Sequence, residues 1–383
     1  MPETKTKKNH TLIILQVLSY VFFSIYTVFA IILSVILIKY PLLPLKYFLP
    51  IIILLTILDF LFIFFMFKKS TKIYVFILCG LFEILFTVII GYALFYLGTT
   101  ISFFDSIKPE DSTIEAPEID IHNDSFNIYI SGIDTYGEIT TVSRSDVNII
   151  VTVNPRTHTI LLTTVPRDYE VQLHGTSDTD LKDKLTHAGL YGVDMSIKTI
   201  EDLLDITIDY YVRINFDSTI KFIDAIGGVE ITPDATFYKS KYNCYFEAGV
   251  TKHLDGGCAL TYARERKTYE YGDLHRIENQ QDILEAVIEK LTTSKALLSN
   301  YPNILASLSD SLETNIPSDY FYRFINQQLD TMPSWTIERN AVEGTEIHVP
   351  NYTYPDDVNF MFQQNPESIA EASSKINEVL AEQ

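Results

Sequence analysis

The sequence lacks the local signatures from which many enzymes are read. Its His 8 complement shows no paired metal-ligand spacing. No Gly-x-Ser-x-Gly elbow is present, and no glycine loop ends in the lysine that cradles a nucleotide phosphate. Positive charge is also scarce: Lys+Arg 29 against Asp+Glu 49 leaves a formal net charge of -20. That balance repels nucleic acid and anionic membrane surfaces, so any anion held here must meet a local basic cluster. Cysteine is sparse, with Cys79 in an apolar run and Cys244 and Cys258 in the later, more polar part. If that part lies outside the cell, a disulfide between Cys244 and Cys258 is permitted and would add roughly 3 kcal/mol. Two buried reduced thiols are the alternative.

Between residues 11 and 97 charge of either sign is nearly missing. Three apolar stretches, Thr11 to Ile38, Tyr47 to Phe67 and Ile73 to Leu97, each reach the roughly 20 residues that a helix needs to cross a bilayer. They are too long and too numerous for a cleavable signal peptide. Lys5, Lys7 and Lys8 precede the first and Lys68, Lys69 and Lys72 separate the second from the third, while only Lys39 and Lys46 mark the other turn. The positive-inside rule then puts the amino terminus in the cytoplasm and, after three crossings, the following domain outside. The expected organisation is a membrane anchor over 1–98, an acidic juxtamembrane linker over 99–125 and a globular domain over 126–383. Asp59 and Glu83 interrupt the anchor at depths of roughly 12 and 15 Å from their shared turn, so they could face one another. They would then share a proton, or one would meet a basic residue of a partner membrane protein. Polar packing inside a helical hairpin is the plainer alternative.

In the second part, Phe126 to Ile133, Val147 to Val153 and Thr159 to Val165 read as strands, with a turn at Asn154-Pro155-Arg156-Thr157. Helical periodicity appears at Leu181 to Tyr191 and Ser196 to Leu204, and a strand is expected at Tyr210 to Phe216. Asp217 is positioned to cap a helix ending at Gly227-Gly228, and a long amphipathic helix is expected from about Asp273 to Leu291. Strands mixed with helices in this order predict a sheet covered by helices.

The arginines of this part stand at element ends: Arg144 before a strand, Arg167 after one, and Arg264, Arg266 and Arg276 around the start of the long helix. A guanidinium fork suits phosphate and diphosphate, and several forks could converge on one anion. Asp273, Arg276 and Gln280 are spaced by three and four, which gives the first turns of that helix one polar face where the dipole favours an anion. Asp134 ends the first strand and Asp146 opens the second, so both could lie at one end of the sheet as hard ligands for Mg²⁺ or Mn²⁺. Turn caps and surface ion pairs are the structural alternative for each residue taken singly. His275 is read as a solvated neighbour and not as a base.

With these residues in place, the sequence resembles the LytR-CpsA-Psr (LCP) family of bacterial cell-envelope enzymes. The resemblance is strongest over 126–290 and rests on seven landmarks in order. They are Gly132-Ile133-Asp134, Ser143-Arg144-Ser145-Asp146, Val165-Pro166-Arg167-Asp168 and Ile226-Gly227-Gly228-Val229. Leu254-Asp255-Gly256 with Ala259-Leu260, Tyr262-Ala263-Arg264-Glu265-Arg266 and Asp273 to Gln281 complete the set. The resemblance implies an α/β/α sandwich with a mixed sheet covered by helices, here preceded by a bundle of three transmembrane helices like that of the capsule-attaching subgroup. It implies transfer of a glycan phosphate from a polyprenyl pyrophosphate-linked glycopolymer, of capsular or teichoic acid type, to peptidoglycan outside a Gram-positive-type cell.

By the same resemblance, Asp134 and Asp146 would hold Mg²⁺ or Mn²⁺. Arg144, Arg167, Arg264, Arg266 and Arg276 would bind the pyrophosphate, and Asp273 and Gln280 would complete the head-group site. The bilayer and other capsule or wall-polymer assembly proteins are the remaining implied partners. Two positions depart from the pattern: Tyr136 stands where many members have an arginine, and Glu278 where a basic residue is common. Arg144 would supply the first missing charge. A non-catalytic membrane sensor of lipid-linked intermediates and a pyrophosphate hydrolase are the rival readings, because both would use the same arginines.

Overall fold

The computed structural model describes residues 3–41, 43–67, 73–107, 115–136, 139, 142–176, 181–270, 272–293 and 312–382. They fall into two compact units, one of Met1–Ser102 with Phe321–Thr331, the other of Phe103–Tyr320 with Met332–Gln383.

The first unit is built on helices α1 (Glu3–Lys39), α2 (Leu45–Phe67) and α3 (Ile73–Ser106). Ile13–Lys39, Leu45–Phe65 and Tyr74–Phe104 within them are each long and apolar enough to cross a membrane. α3 does not stop at Leu97. It runs on to Ser106, because neither Gly98 nor the short polar run after it breaks the helical ladder. Tyr26 anchors α1 on α2, with its hydroxyl donating to the Leu55 carbonyl at 3.1 Å and its ring edge-on to Phe62 at 5.5 Å. The two membrane acids do not meet as expected. Asp59 accepts from Thr27 at 2.9 Å and Glu83 accepts from Ser19 at 3.4 Å. These α1 partners lie eight residues apart, about 12 Å along the helix, which separates the acids in depth. Glu83 is wholly buried.

The second unit is a six-stranded mixed sheet between layers of helix. Its strands are β1 (Phe126–Ile133), β2 (Ser145–Asn154), β3 (Thr159–Thr164), β4 (Tyr210–Asn215), β5 (Leu312–Thr314) and β6 (Thr336–Ala341), in the order β5-β4-β1-β2-β3-β6. β1, β2 and β3 are antiparallel neighbours, whereas β4 runs parallel to β1 and β6 parallel to β3. Helices α4 (Val193–Leu204), α5 (Phe216–Ala225), α6 (Gly256–Ala263), α7 (Gly272–Thr293), α8 (Ser318–Thr331) and α9 (Pro366–Ala381) complete the described helices used below.

The period of two along each strand divides the core. Tyr129, Ile150 and Leu161 face a cluster with Ile197, Ile200 and Leu204 of α4 and Ala372 and Ile376 of α9. Their strand neighbours Phe126, Ile149, Val151, Ile160 and Leu162 face the opposite cluster, against Leu284 and Ile288 of α7 and Tyr320. Residues 115–125, expected as part of a spacer, belong to this second core: Ile121 is buried, and Pro117 accepts from the Tyr210 hydroxyl at 3.0 Å.

Two local expectations change. Asn215, not Asp217, caps α5, through a capping box with Ser218. The stretch Leu181 to Tyr191 is not one helix. Asp183–Lys184 pairs with Glu170–Val171 as a short ladder, and only a turn of helix, Leu185–Ala188, follows before a 3-10 segment, Gly189–Tyr191.

Candidate active site

The strand directions bring four chain segments to one edge of the sheet. β1, β3 and β4 end there and β2 begins there, with Ile133 opposite Ser145 across the β1–β2 pair. Ligands in open α/β sheets collect outside the carboxyl ends of strands, where loops diverge and backbone groups are left unpaired. Asp134, Arg144, Asp146 and Arg167 stand at this edge because each lies within three residues of a strand end.

Arg167 is the hub. Its Nη1 donates to Asp146 at 2.8 Å and its Nε to Asp168 at 3.2 Å. Burial works against its charge, yet Asp146 and Asp168 together raise its pKa above the ordinary arginine value. Lys184, a residue without a strong sequence signal, reaches the other oxygen of Asp168 at 2.9 Å. Burial tends to raise Asp168, but the Lys184 hydrogen bond and the charge of Arg167 outweigh it and hold that carboxyl below its usual range. The backbone is locked as well: Thr186 N–H donates to the Arg167 carbonyl at 2.8 Å, and Phe362 N–H to that of Asp168 at 2.9 Å.

α7 brings the second half. Buried Gln281 donates to Thr164 Oγ1 at 2.9 Å and to the Asn340 carbonyl at 2.8 Å, which ties the helix to the ends of β3 and β6. One turn earlier lies Arg276, with a side chain only 11% exposed and Nη1 at 3.4 Å from Asp273. Its Nε is buried with no hydrogen-bond partner. Burial first and the neighbouring Arg167 second hold Arg276 below the ordinary arginine pKa, against the pull of Asp273, Asp146 and Asp168. Asp273 also accepts from Arg266 at 3.4 Å. Gln280 is half-buried on the same helix, but it is Gln281 that carries the sheet-facing bonds.

A second group sits beside Asp134. Arg264 lies at 3.7 Å from this carboxylate and stacks on the Phe216 ring at 4.0 Å. Arg144 goes elsewhere: its Nη2 donates to the Tyr354 hydroxyl at 3.1 Å, and this ring packs edge-on to His187. His187 in turn hydrogen-bonds to Asp183 at 2.6 Å, both buried. Beneath this strip, Gly189 leaves no room for a side chain: a Cβ there would come within 2.6 Å of the Ser143 carbonyl and 2.8 Å of the Ser145 nitrogen.

The structure therefore gathers Arg167, Arg276, Arg266, Asp146, Asp168, Asp273 and Lys184 into one network and Arg264 with Asp134 into another, and sends Arg144 to Tyr354. Asp168 and Lys184 were not among the expected site residues. Asp168 sat inside a landmark triplet, and Lys184 had no signal because its role depends on the short ladder. His275 is not a solvated neighbour. Its two ring nitrogens meet Asp234 at 2.9 Å and Glu278 at 2.8 Å. Cys244 and Cys258 are joined, which ties the hairpin Phe237–Lys239/Cys244–Phe246 to α6.

A family model, that of the LytR_cpsA_psr family, matches residues 96–374. Over 262 residues the chain is 33% identical to the polyisoprenyl-teichoic acid–peptidoglycan teichoic acid transferase TagU of Enterococcus faecalis, spanning 66% of this chain and 82% of that protein. The corresponding transferase TagV of Bacillus subtilis is 30% identical over 301 residues, 73% of this chain and 74% of its own length. The crystal structure of B. subtilis TagV superposes with a TM-score of 0.58 at 29% identity, covering 68% of this chain and 99% of that one. A structure of TagT bound to LI-WTA gives 0.52 at 27% identity, over 72% and 98%.

Proposed function

Because the chain belongs to the LytR-CpsA-Psr family, we propose that it transfers a glycan phosphate from a polyprenyl diphosphate-linked glycopolymer, of teichoic acid or capsular type, to a peptidoglycan hydroxyl. The observation that carries this reading is the pair Arg167 and Arg276. Two guanidinium groups sit close enough to repel, and one has a buried Nε with no partner. Even with Asp146, Asp168 and Asp273 beside the two groups, the unpartnered Nε of Arg276 remains a cost that a diphosphate oxygen would remove.

In the proposed reaction the sugar hydroxyl attacks the phosphorus attached to the glycan. The bond from that phosphorus to the bridging oxygen breaks, and polyprenyl monophosphate leaves with the bonding electrons. Arg167, Arg276 and Arg266 surround the diphosphate and offset the charge that builds on its oxygens, which is where most of the acceleration of phosphoryl transfer arises. The hydroxyl proton passes to a carboxylate. Asp146 and Asp273 are the carboxylates beside these arginines, and Asp273 is the more accessible, its side chain 31% exposed against 17% for Asp146.

Among the described residues no group of three or more His, Cys, Asp or Glu side chains is arranged to hold a metal alone. Two carboxylates at adjacent strand ends, Asp134 and Asp146, still suit Mg²⁺ or Mn²⁺, an ion that takes much of its shell from water and substrate phosphate. When bound it would add positive charge at the diphosphate. The Cys244–Cys258 bridge supports an oxidising surrounding for this domain and hence, with the lysine distribution of the anchor, a cytoplasmic amino terminus and an extracellular catalytic part.

Full-length protein in detergent, incubated with a lipid-linked oligosaccharide, Mg²⁺ and peptidoglycan fragments, tests the proposal. Joined product supports transfer, free glycan phosphate indicates a hydrolase, and unchanged lipid indicates a sensor. Arg167→Ala abolishes joining, and near-normal joining by that variant refutes the site.

A further inference from the structure

Beside Asp134 a cavity of ≈ 310 Å³ opens, lined among others by Lys239, Lys241, Tyr242, Thr261 and Arg264. That is near the lower limit for small-ligand pockets. The turn that forms one wall is held rigidly. The disulfide fixes its base, the Tyr242 ring lies so close over Gly257 that a Cβ there would come within 2.7 Å of it, and Lys239 pairs with buried Glu265.

Rigidity of the turn sets the position of Lys241. Its ammonium donates to the Tyr136 hydroxyl at 2.8 Å and lies 5.1 Å from the centres of both the Tyr136 and Tyr242 rings. No carboxylate among the described residues pairs with it. Lys239 is matched by Glu265, and Arg264 has only the 3.7 Å approach of Asp134. The cavity thus carries an unmatched cation, a loosely matched guanidinium and the half-buried Tyr242 ring, while the exposed Tyr136 ring adjoins it through Lys241. Flat aromatic faces suit the C–H faces of a sugar ring, and an unmatched ammonium suits an anion on it. The Tyr136 position, which departs from the family pattern, thereby has a cation next to it in space that Arg144 does not provide.

We propose that this cavity holds the sugar next to the diphosphate and that Lys241 selects donors whose sugar carries an anionic group, a carboxylate or a phosphate. The assignment rests on the diphosphate reading above, since Arg264, which lines the cavity, is two residues from Arg266, which shares Asp273 with Arg276 in the diphosphate network.

The test uses full-length protein in detergent with three synthetic polyprenyl diphosphate disaccharides: neutral, uronic acid-bearing and sugar phosphate-bearing. For each, kcat/KM is measured for wild type, Lys241→Gln and Lys241→Arg. The ratio of acidic to neutral donor falls about 10-fold or more in Lys241→Gln, the worth of one charge-assisted hydrogen bond. Lys241→Arg recovers most of it. Which acidic donor loses more identifies carboxylate or phosphate as the group recognised. An unchanged ratio in Lys241→Gln, with wild type active on the donors, overturns the subsite alone. Failure of wild type to transfer any donor overturns the diphosphate reading and the subsite with it.

Discussion

Replacing Arg276 by methionine should separate stability from binding. The wild-type side chain is nearly buried, its Nε unpartnered, and Arg167 and burial both oppose its charge. Arginine does not shed its proton in a protein, so this opposition appears as a cost of folding. An unsatisfied buried donor costs about 1–3 kcal/mol. Methionine keeps the length of the side chain and removes both that cost and the repulsion. It gives up the long 3.4 Å pairing with Asp273, whose own side chain is 31% exposed, a contact worth about 1 kcal/mol or less. The net expectation is a domain more stable by about 1 kcal/mol, or about 2–4 °C in Tm. Binding moves the other way. Losing two charge-assisted hydrogen bonds at about 1.5 kcal/mol each weakens a diphosphate by roughly 100-fold or more. Thermal unfolding of the full-length protein with increasing inorganic pyrophosphate reads both, because a ligand of the native state raises Tm with its concentration. A variant that melts several degrees below wild type without pyrophosphate, yet gains the same Tm from it, refutes the reasoning.

Reducing the Cys244–Cys258 bridge, which spans a sequence separation of 14, should lower stability by about 3 kcal/mol, seen as a lower urea midpoint with reductant; an unchanged midpoint refutes it. Since Asp59 and Glu83 bond to different residues of α1, the effects of Asp59→Asn and Glu83→Gln on unfolding in mixed micelles should add within about 0.5 kcal/mol. A larger coupling would restore the shared proton. Asp168 has a depressed folded-state pKa, so its contribution is present above the unfolded value of about 4 and is lost as pH falls below it. Denaturant unfolding between pH 3 and 7 should show that acid-side loss flattened in Asp168→Asn, and an unaltered slope counts against the network.

The strands β1 to β3 were legible because their apolar runs are bounded by turn residues, and α7 because its period is sustained over a long segment. β6 was not, because Thr336–Ala341 is an edge strand of mostly polar residues whose pairing with β3 spans a long loop of chain. The helix expected at Leu181 to Tyr191 failed because Asp183 and Lys184 are drawn into a ladder with Glu170 and Val171, a tertiary choice that local periodicity does not contain. At the site, arginines at element ends pointed to convergence, and Arg167, Arg266 and Arg276 do share one network. The Arg144 contact with Tyr354 was not legible because that partner is 210 residues away. The pairing of Tyr136 with Lys241, 105 residues on, was hidden for the same reason.

Gly189 carries no functional group, yet the strip bearing Arg144 rests directly on it. Even a methyl there would have to lift residues 143–145 and tilt the mouth of the site, so tolerance to drift at this position is set by the catalytic edge and not by the local turn. A saturation library would therefore score residue 189 like a position that touches substrate. Ranking positions by their distance from the reacting phosphorus would miss it.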